Sequence, residues 1–193
     1  MYEYIEGKII EKTPTFIVIE AGNVGYFINI SLNTFTRLTD KGQCRLFMHQ
    51  IIRDDAHLLF GFIDKREREM FRYLISVSGI GANTARLILS SLSPDDIVKA
   101  INEGNVYLLK SIRGIGIKTA QRIIVDLKGK VGKEAEMSEI FMTESNTIQE
   151  ESLSALVHLG FTKSVVDKVI RQILAEKKDL TVEEAVKEAL KRL

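Results

Sequence analysis

A chain of 193 residues with 45% hydrophobic content has enough apolar material for one domain or several small ones, but no excess. Its single cysteine, Cys44, excludes an internal disulfide, and three scattered histidines, His49, His57 and His158, provide no zinc-ligand spacing. The start, Met1-Tyr2-Glu3-Tyr4-Ile5-Glu6, lacks the basic and apolar regions of a signal peptide, and no apolar run reaches the ~18 residues of a membrane span. A cytoplasmic protein without membrane, metal or cofactor is expected. The net charge of +1 conceals a strong asymmetry. Residues 1–64 carry six Lys/Arg against eight Asp/Glu, residues 65–133 thirteen against six, and residues 134–193 eight against twelve. The centre is basic and its flanks are acidic, the distribution of a polyanion-binding segment between parts with other roles.

The first sixty-odd residues are rich in β-branched and aromatic residues. They predict five short strands, at Tyr4 to Ile10, Phe16 to Glu20, Tyr26 to Ile30, Gln43 to Ile52 and Ala56 to Ile63, with a helical turn within Leu32 to Leu38. So many strands in so short a span favour a small closed barrel of the OB type over an open sheet. Strands four and five meet across Asp54-Asp55, which sets two carboxylates on a hairpin tip next to Arg53. Three readings stand: Asp as an ordinary turn former, a pair that repels phosphates and so selects a DNA geometry with a gap, or part of a Mg²⁺ site. The last needs a third carboxylate from elsewhere, and the sequence flags none.

Residues 65–133 read as helices. Met70, Phe71, Leu74 and Ile75 line one face of the first, and Ser93-Pro94-Asp95-Asp96 supplies the cap, first-turn proline and acidic position that open another, with Ile97, Val98 and Ile101 as its core. Within this segment one phrase occurs twice: Gly79-Ile80-Gly81-Ala82-Asn83-Thr84-Ala85-Arg86 and Gly114-Ile115-Gly116-Ile117-Lys118-Thr119-Ala120-Gln121-Arg122. Each copy lies between apolar stretches, so each predicts helix, tight turn, helix. Glycines there leave amide N–H groups uncovered at a helix N-terminus, where an anionic phosphate fits, and the isoleucine between them plugs the two helices. One such turn is commonly just a helix cap. Two copies agreeing in Gly-Ile-Gly, in Thr-Ala and in a following cation point instead to a tandem phosphate grip made by Gly79, Gly81, Asn83 and Arg86 in the first hairpin. Arg113, Gly114, Gly116, Lys118, Thr119 and Arg122 make it in the second. Lys118 and Arg122, four apart, share a helix face. Neither copy is a P-loop, because Ile117 separates Gly116 from Lys118, and neither has the third glycine of a dinucleotide site.

Residues 133–147 lack periodicity and read as a flexible acidic linker. A compact unit follows, with helices near 149–159, 163–175 and 182–192, Leu159-Gly160-Phe161 closing the first and a Thr181/Glu184 capping box opening the third. Its charge and lack of a catalytic constellation suit protein docking.

The order of these parts resembles the RuvA family, the Holliday-junction-binding subunits of bacterial branch-migration complexes. The likeness spans the whole chain and is most specific over Arg53-Asp54-Asp55-Ala56-His57-Leu58-Leu59-Phe60-Gly61-Phe62 and over Gly114 to Arg122. It implies an α+β multidomain protein: an OB-type barrel (1–63), a tandem helix-hairpin-helix domain (64–132), the linker (133–147) and a three-helix, UBA-like module (148–193). It further implies a homotetramer, or an octamer, whose basic face receives a four-way junction, with Asp54 and Asp55 as an acidic pin at the junction centre. The final module would dock the hexameric ATPase RuvB, with Leu156, Leu159 and Phe161 as the contact residues, and the resolvase RuvC would join the assembly. The chain itself would be no enzyme but a DNA-binding subunit in recombination, repair and the SOS response. Two departures stand out: Asn83 where members often carry lysine, and Arg113 where proline often precedes the glycine. The competing expectations are a structure-specific nuclease using the Asp54-Asp55 tip, and an RNA-binding OB protein. The latter is weakened by the absence of an aromatic platform in the helical half.

Overall fold

Alternation of buried and exposed residues sets the first part of the chain. The computed structural model describes residues 2–131, 144–177 and 180–193, the side chains of 144–147 excepted. Strands β1 (Tyr4–Lys12), β2 (Phe16–Ala21), β3 (Val24–Ile30), β4 (Gln43–Ile52) and β5 (His57–Phe62) close into a barrel in the order β1-β2-β3-β5-β4. In β1 every second residue from Ile5 to Ile9 turns inward, and Ile5, Ile9, Ile17, Ile19, Ile28, Ile30, Leu46 and Met48 fill the interior. β3 and β5 close the barrel in parallel through only two register pairs, Asn29↔Phe60 and Ile30↔Gly61. Gly7 is required where β1 approaches β2, since a Cβ there would lie 2.2 Å from the Glu20 carbonyl oxygen. The expected helical turn is α1 (Leu32–Arg37), capped by the Ser31 side chain.

Helices α2 (Lys65–Ser76), α3 (Ala82–Ser91), α4 (Pro94–Glu103), α5 (Val106–Lys110) and α6 (Ile117–Leu127) follow. They share a core with the barrel, which makes Met1–Gly132 one compact unit. Phe71 of α2 sits between rings of the barrel, with centroids 5.1 Å from Phe60, 4.9 Å from Phe62 and 5.4 Å from His49. β5 thus contributes Phe60 and Phe62 to the helical core. A sealed polar cluster joins the same elements. Glu67 is fully buried, and its carboxylate accepts hydrogen bonds from Ser31 Oγ and, at 2.6 Å, from Thr34 Oγ1. Thr34 Oγ1 in turn accepts the Ile63 N–H at 3.1 Å. Arg68 donates to the Glu3 carbonyl at 3.0 Å and pairs with its carboxylate at 2.7 Å. The expected apolar faces are present: Met70, Phe71, Leu74, Ile97 and Ile101 are buried, with Ile75 and Val98 packed at the margin. Ser93 and Asp96 form the reciprocal capping box with Pro94 in the first turn.

The second unit holds α7 (Glu144–His158), α8 (Lys163–Glu176) and α9 (Val182–Arg192) around Leu156, Val166, Ile170, Ile173 and Ala189. α7 begins at Glu144, several residues before the expected start near 149. The rest of the expected linker, including Ile140-Phe141-Met142, lies outside the described residues. The Thr181/Glu184 capping box forms as read. Among the described residues no helix is long and apolar enough to cross a membrane.

Candidate nucleic-acid interface

The two Gly-Ile-Gly turns are built on one backbone. Gly79 stands at φ +89° and Gly114 at φ +87°, the left-handed region that admits glycine without strain. Ile80 N–H donates to the Val77 carbonyl and Ile115 N–H to the Ile112 carbonyl, each at 3.0 Å. Gly81 (φ −84°, ψ 167°) and Gly116 (φ −82°, ψ 166°) then cap α3 and α6, with no side chain bonded to the first-turn amides. Ile80 and Ile115 are buried as the expected plugs. A Cβ added to any of the four glycines would meet no protein atom within 4 Å. Each hairpin therefore presents free N–H donors at the positive end of a helix dipole, under open space.

The predicted cations divide into two groups. Arg113 and Lys118 are exposed beside the second turn, and among the described residues their side chains have no ion-pair or hydrogen-bond partner. Arg122 is also exposed, yet its Nη1 donates to the Ser78 carbonyl at 3.2 Å, which ties α6 to the turn of the first hairpin. Thr119 is half-buried and Asn83 exposed, so the first hairpin offers amides and an amide side chain rather than a charge. Arg86 departs from the expectation of a free phosphate contact. It is half-buried, and its Nη1 donates to the Thr15 carbonyl at 2.7 Å and to Asn29 Oδ1 at 3.3 Å. Burial pushes its pKa down. No pattern in the sequence announced this, because the acceptors lie 71 and 57 positions away.

Asp54 and Asp55 cap the β4–β5 hairpin, where Ile52 pairs with His57 and the loop closes through Arg53 N–H to the Ala56 carbonyl at 2.8 Å. Arg53, Asp54 and Asp55 are exposed, and among the described residues their side chains have no ion-pair or hydrogen-bond partner. The two carboxylates project as uncompensated negative charge. Among the described residues no three His, Cys, Asp or Glu side chains converge as a metal site, so the third carboxylate that a Mg²⁺ reading needs is not found there.

In the second unit the three expected docking residues separate. Leu156 is fully buried in the module's own core, closed off from any partner, and Phe161 is packed against that core. The reason is local: Gly160 at φ +100° ends α7, and the Phe161 N–H returns to the Leu156 carbonyl at 3.2 Å, which folds Phe161 inward. Leu159 alone of the three is presented, 62% exposed.

Comparison with known proteins accords with this architecture. Residues 1–61 match the RuvA N terminal domain, residues 71–129 a SAM-like helix-hairpin-helix tandem, and residues 147–193 the RuvA C-terminal domain. The chain is 49% identical over 193 residues to a Holliday junction branch migration complex subunit RuvA of Flavobacterium psychrophilum. It is 48% identical to those of Christiangramia forsetii and Bacteroides thetaiotaomicron, over 193 and 201 residues. In all three cases the match covers 100% of both chains. A barrel with an acidic hairpin tip, twin phosphate-ready turns and a three-helix module, matched along their whole length, place the chain in the RuvA family.

Proposed function

We propose that the protein is the non-catalytic DNA-binding subunit of a branch-migration complex, recognising four-way junctions and holding them open for a motor. The observation that carries this is the pair of turns with matching backbone angles, free amides and open space above them, set in the basic third of the chain. Amides and cations that address phosphates read no base edge, so the grip is independent of sequence. It cannot by itself tell a junction from a duplex. The choice falls to Asp54 and Asp55, which repel phosphates and favour a structure with a gap at its centre. A homotetramer would bring four such tips to one point and four hairpin pairs to four arms, matching the symmetry of the substrate. The second unit would then recruit a hexameric ATPase of the RuvB kind through an exposed surface that includes Leu159, with a RuvC-type resolvase joining the assembly. The setting is recombination and repair in the cytoplasm. A nuclease reading has no support, since among the described residues no third carboxylate joins Asp54 and Asp55.

The test is fluorescence anisotropy with a labelled junction and a duplex of equal length, in EDTA, across a salt series. Preference for the junction, with affinity falling steeply as salt rises, is expected. Equal affinity for the two DNAs would overturn the reading. Replacing Asp54→Asn together with Asp55→Asn should hold or tighten binding to both while narrowing the difference between them.

A further inference from the structure

The first hairpin is fastened to the barrel by polar contacts at two points. Arg86, one turn into α3, reaches Thr15 in the β1–β2 turn and Asn29 at the end of β3. Asn29 continues the chain of bonds: its Nδ2 donates to the Leu59 carbonyl at 3.1 Å, on β5. β5 is the strand that runs directly out of the Asp54-Asp55 tip. One turn further along α3, Ser90 Oγ donates to the Arg86 carbonyl at 2.8 Å and accepts the Leu32 N–H at 3.0 Å. Apolar packing does not fill the space between. A groove of about 430 Å³ separates Thr15, Ile30 and Leu32 on the barrel side from Asn83 and Leu87 on α3. Beside the shared apolar core, the Arg86 guanidinium spans this groove and ties its two walls together.

We infer that Arg86 is a positioning residue for junction recognition: through Asn29 and Leu59 it holds the first phosphate-gripping turn at a fixed place relative to the acidic tip. The inference rests on the proposed function, in which grip and tip must meet different parts of one DNA at once. Two features distinguish Arg86 from Arg113 and Lys118. Its Nη1 already has protein acceptors, and one of them, Asn29, bonds onward to Leu59 on the strand that carries the tip. Arg113 and Lys118 have neither. Loss of the clasp would leave the amides of Gly81 and their neighbours intact, so duplex would still be held, while the tip and the turn would no longer be in register for a junction.

Two single variants and their combination test this in the full-length protein: Arg86→Met, which keeps the apolar stem, and Asn29→Ala, which removes no charge and leaves Arg86 its bond to Thr15. Each should reduce the junction-over-duplex affinity ratio by about threefold to tenfold, the range expected when one side-chain hydrogen bond is lost. The double variant should do no more than the worse single, because both break one relay. The slope of log affinity against log salt for duplex should not change. A slope reduced by about 0.9 per site in Arg86→Met, with Asn29→Ala like the unmodified protein, would make Arg86 a phosphate contact and overturn the inference. An unchanged ratio in Asn29→Ala would do the same, and this variant carries the test if Arg86→Met melts early. If the unmodified protein itself shows no preference for junctions, it is the proposed function that fails.

Discussion

Replacing Gly81 and Gly116 with alanine separates the fold from the grip. Both residues already have φ near −80°, a region open to every residue, and an added Cβ meets no protein atom within 4 Å. The cost to stability is therefore confined to exchanging glycine for alanine at a helix N-cap, about 0.5–1 kcal/mol at each site. The same change at Gly79 or Gly114 would place alanine at φ +89° or +87° and add roughly 1–2 kcal/mol of backbone strain. On the binding side the new methyl group would enter the open space at the turn, where the proposed phosphate has to approach. Losing one charge-assisted bond of this kind costs about 1.5–3 kcal/mol, or tenfold or more in affinity. Urea denaturation and anisotropy with duplex DNA give the two readouts on the same samples. Gly81→Ala/Gly116→Ala should melt about 1–2 kcal/mol below the unmodified protein yet bind duplex and junction much more weakly, with a shallower salt dependence. Unchanged affinity in a folded double variant would refute the assignment of phosphate to these amides.

Glu67→Leu should leave the Ser31 and Thr34 hydroxyls without their acceptor in a sealed site and lower unfolding free energy by about 1–3 kcal/mol for each; a loss below 1 kcal/mol in urea melts would show that the cluster relaxes. Burial, with Arg72 and Arg68 nearby, holds the His49 pKa below its ordinary 6.5, so proton uptake favours the unfolded chain. The stability this group contributes is present above pH 6.5 and is lost as pH falls through and below that value. His49→Phe should flatten the dependence on the acid side, as followed by thermal melts between about pH 7 and 5. In the second unit, Leu159→Ser should weaken stimulation of a RuvB-type ATPase and spare the fold, whereas Leu156→Ser should unfold the module; a fully active Leu159→Ser variant would move the docking surface elsewhere.

Much of this protein was determined by the sequence alone. Strand alternation, the Ser93 and Thr181 caps and both Gly-Ile-Gly turns follow from rules that act over four or five residues: side-chain period, the reach of a capping hydroxyl, the freedom of glycine at positive φ. The duplication of the turn and the basic charge around it were equally legible, as was the acidic tip, since a hairpin joins neighbours in the chain. What the tertiary structure decided is the fate of side chains whose partners lie far away in sequence. Glu67 is sealed under Ser31 and Thr34, more than thirty positions earlier. Phe60 and Phe62 read as barrel residues and pack into the helical layer. Leu156 reads as a docking residue and is the centre of its module. Arg86 reads as a free cation and bonds the barrel. A charge or an apolar surface shows its type in the sequence, but whether it meets water, a ligand or another part of the chain depends on which distant segment folds against it.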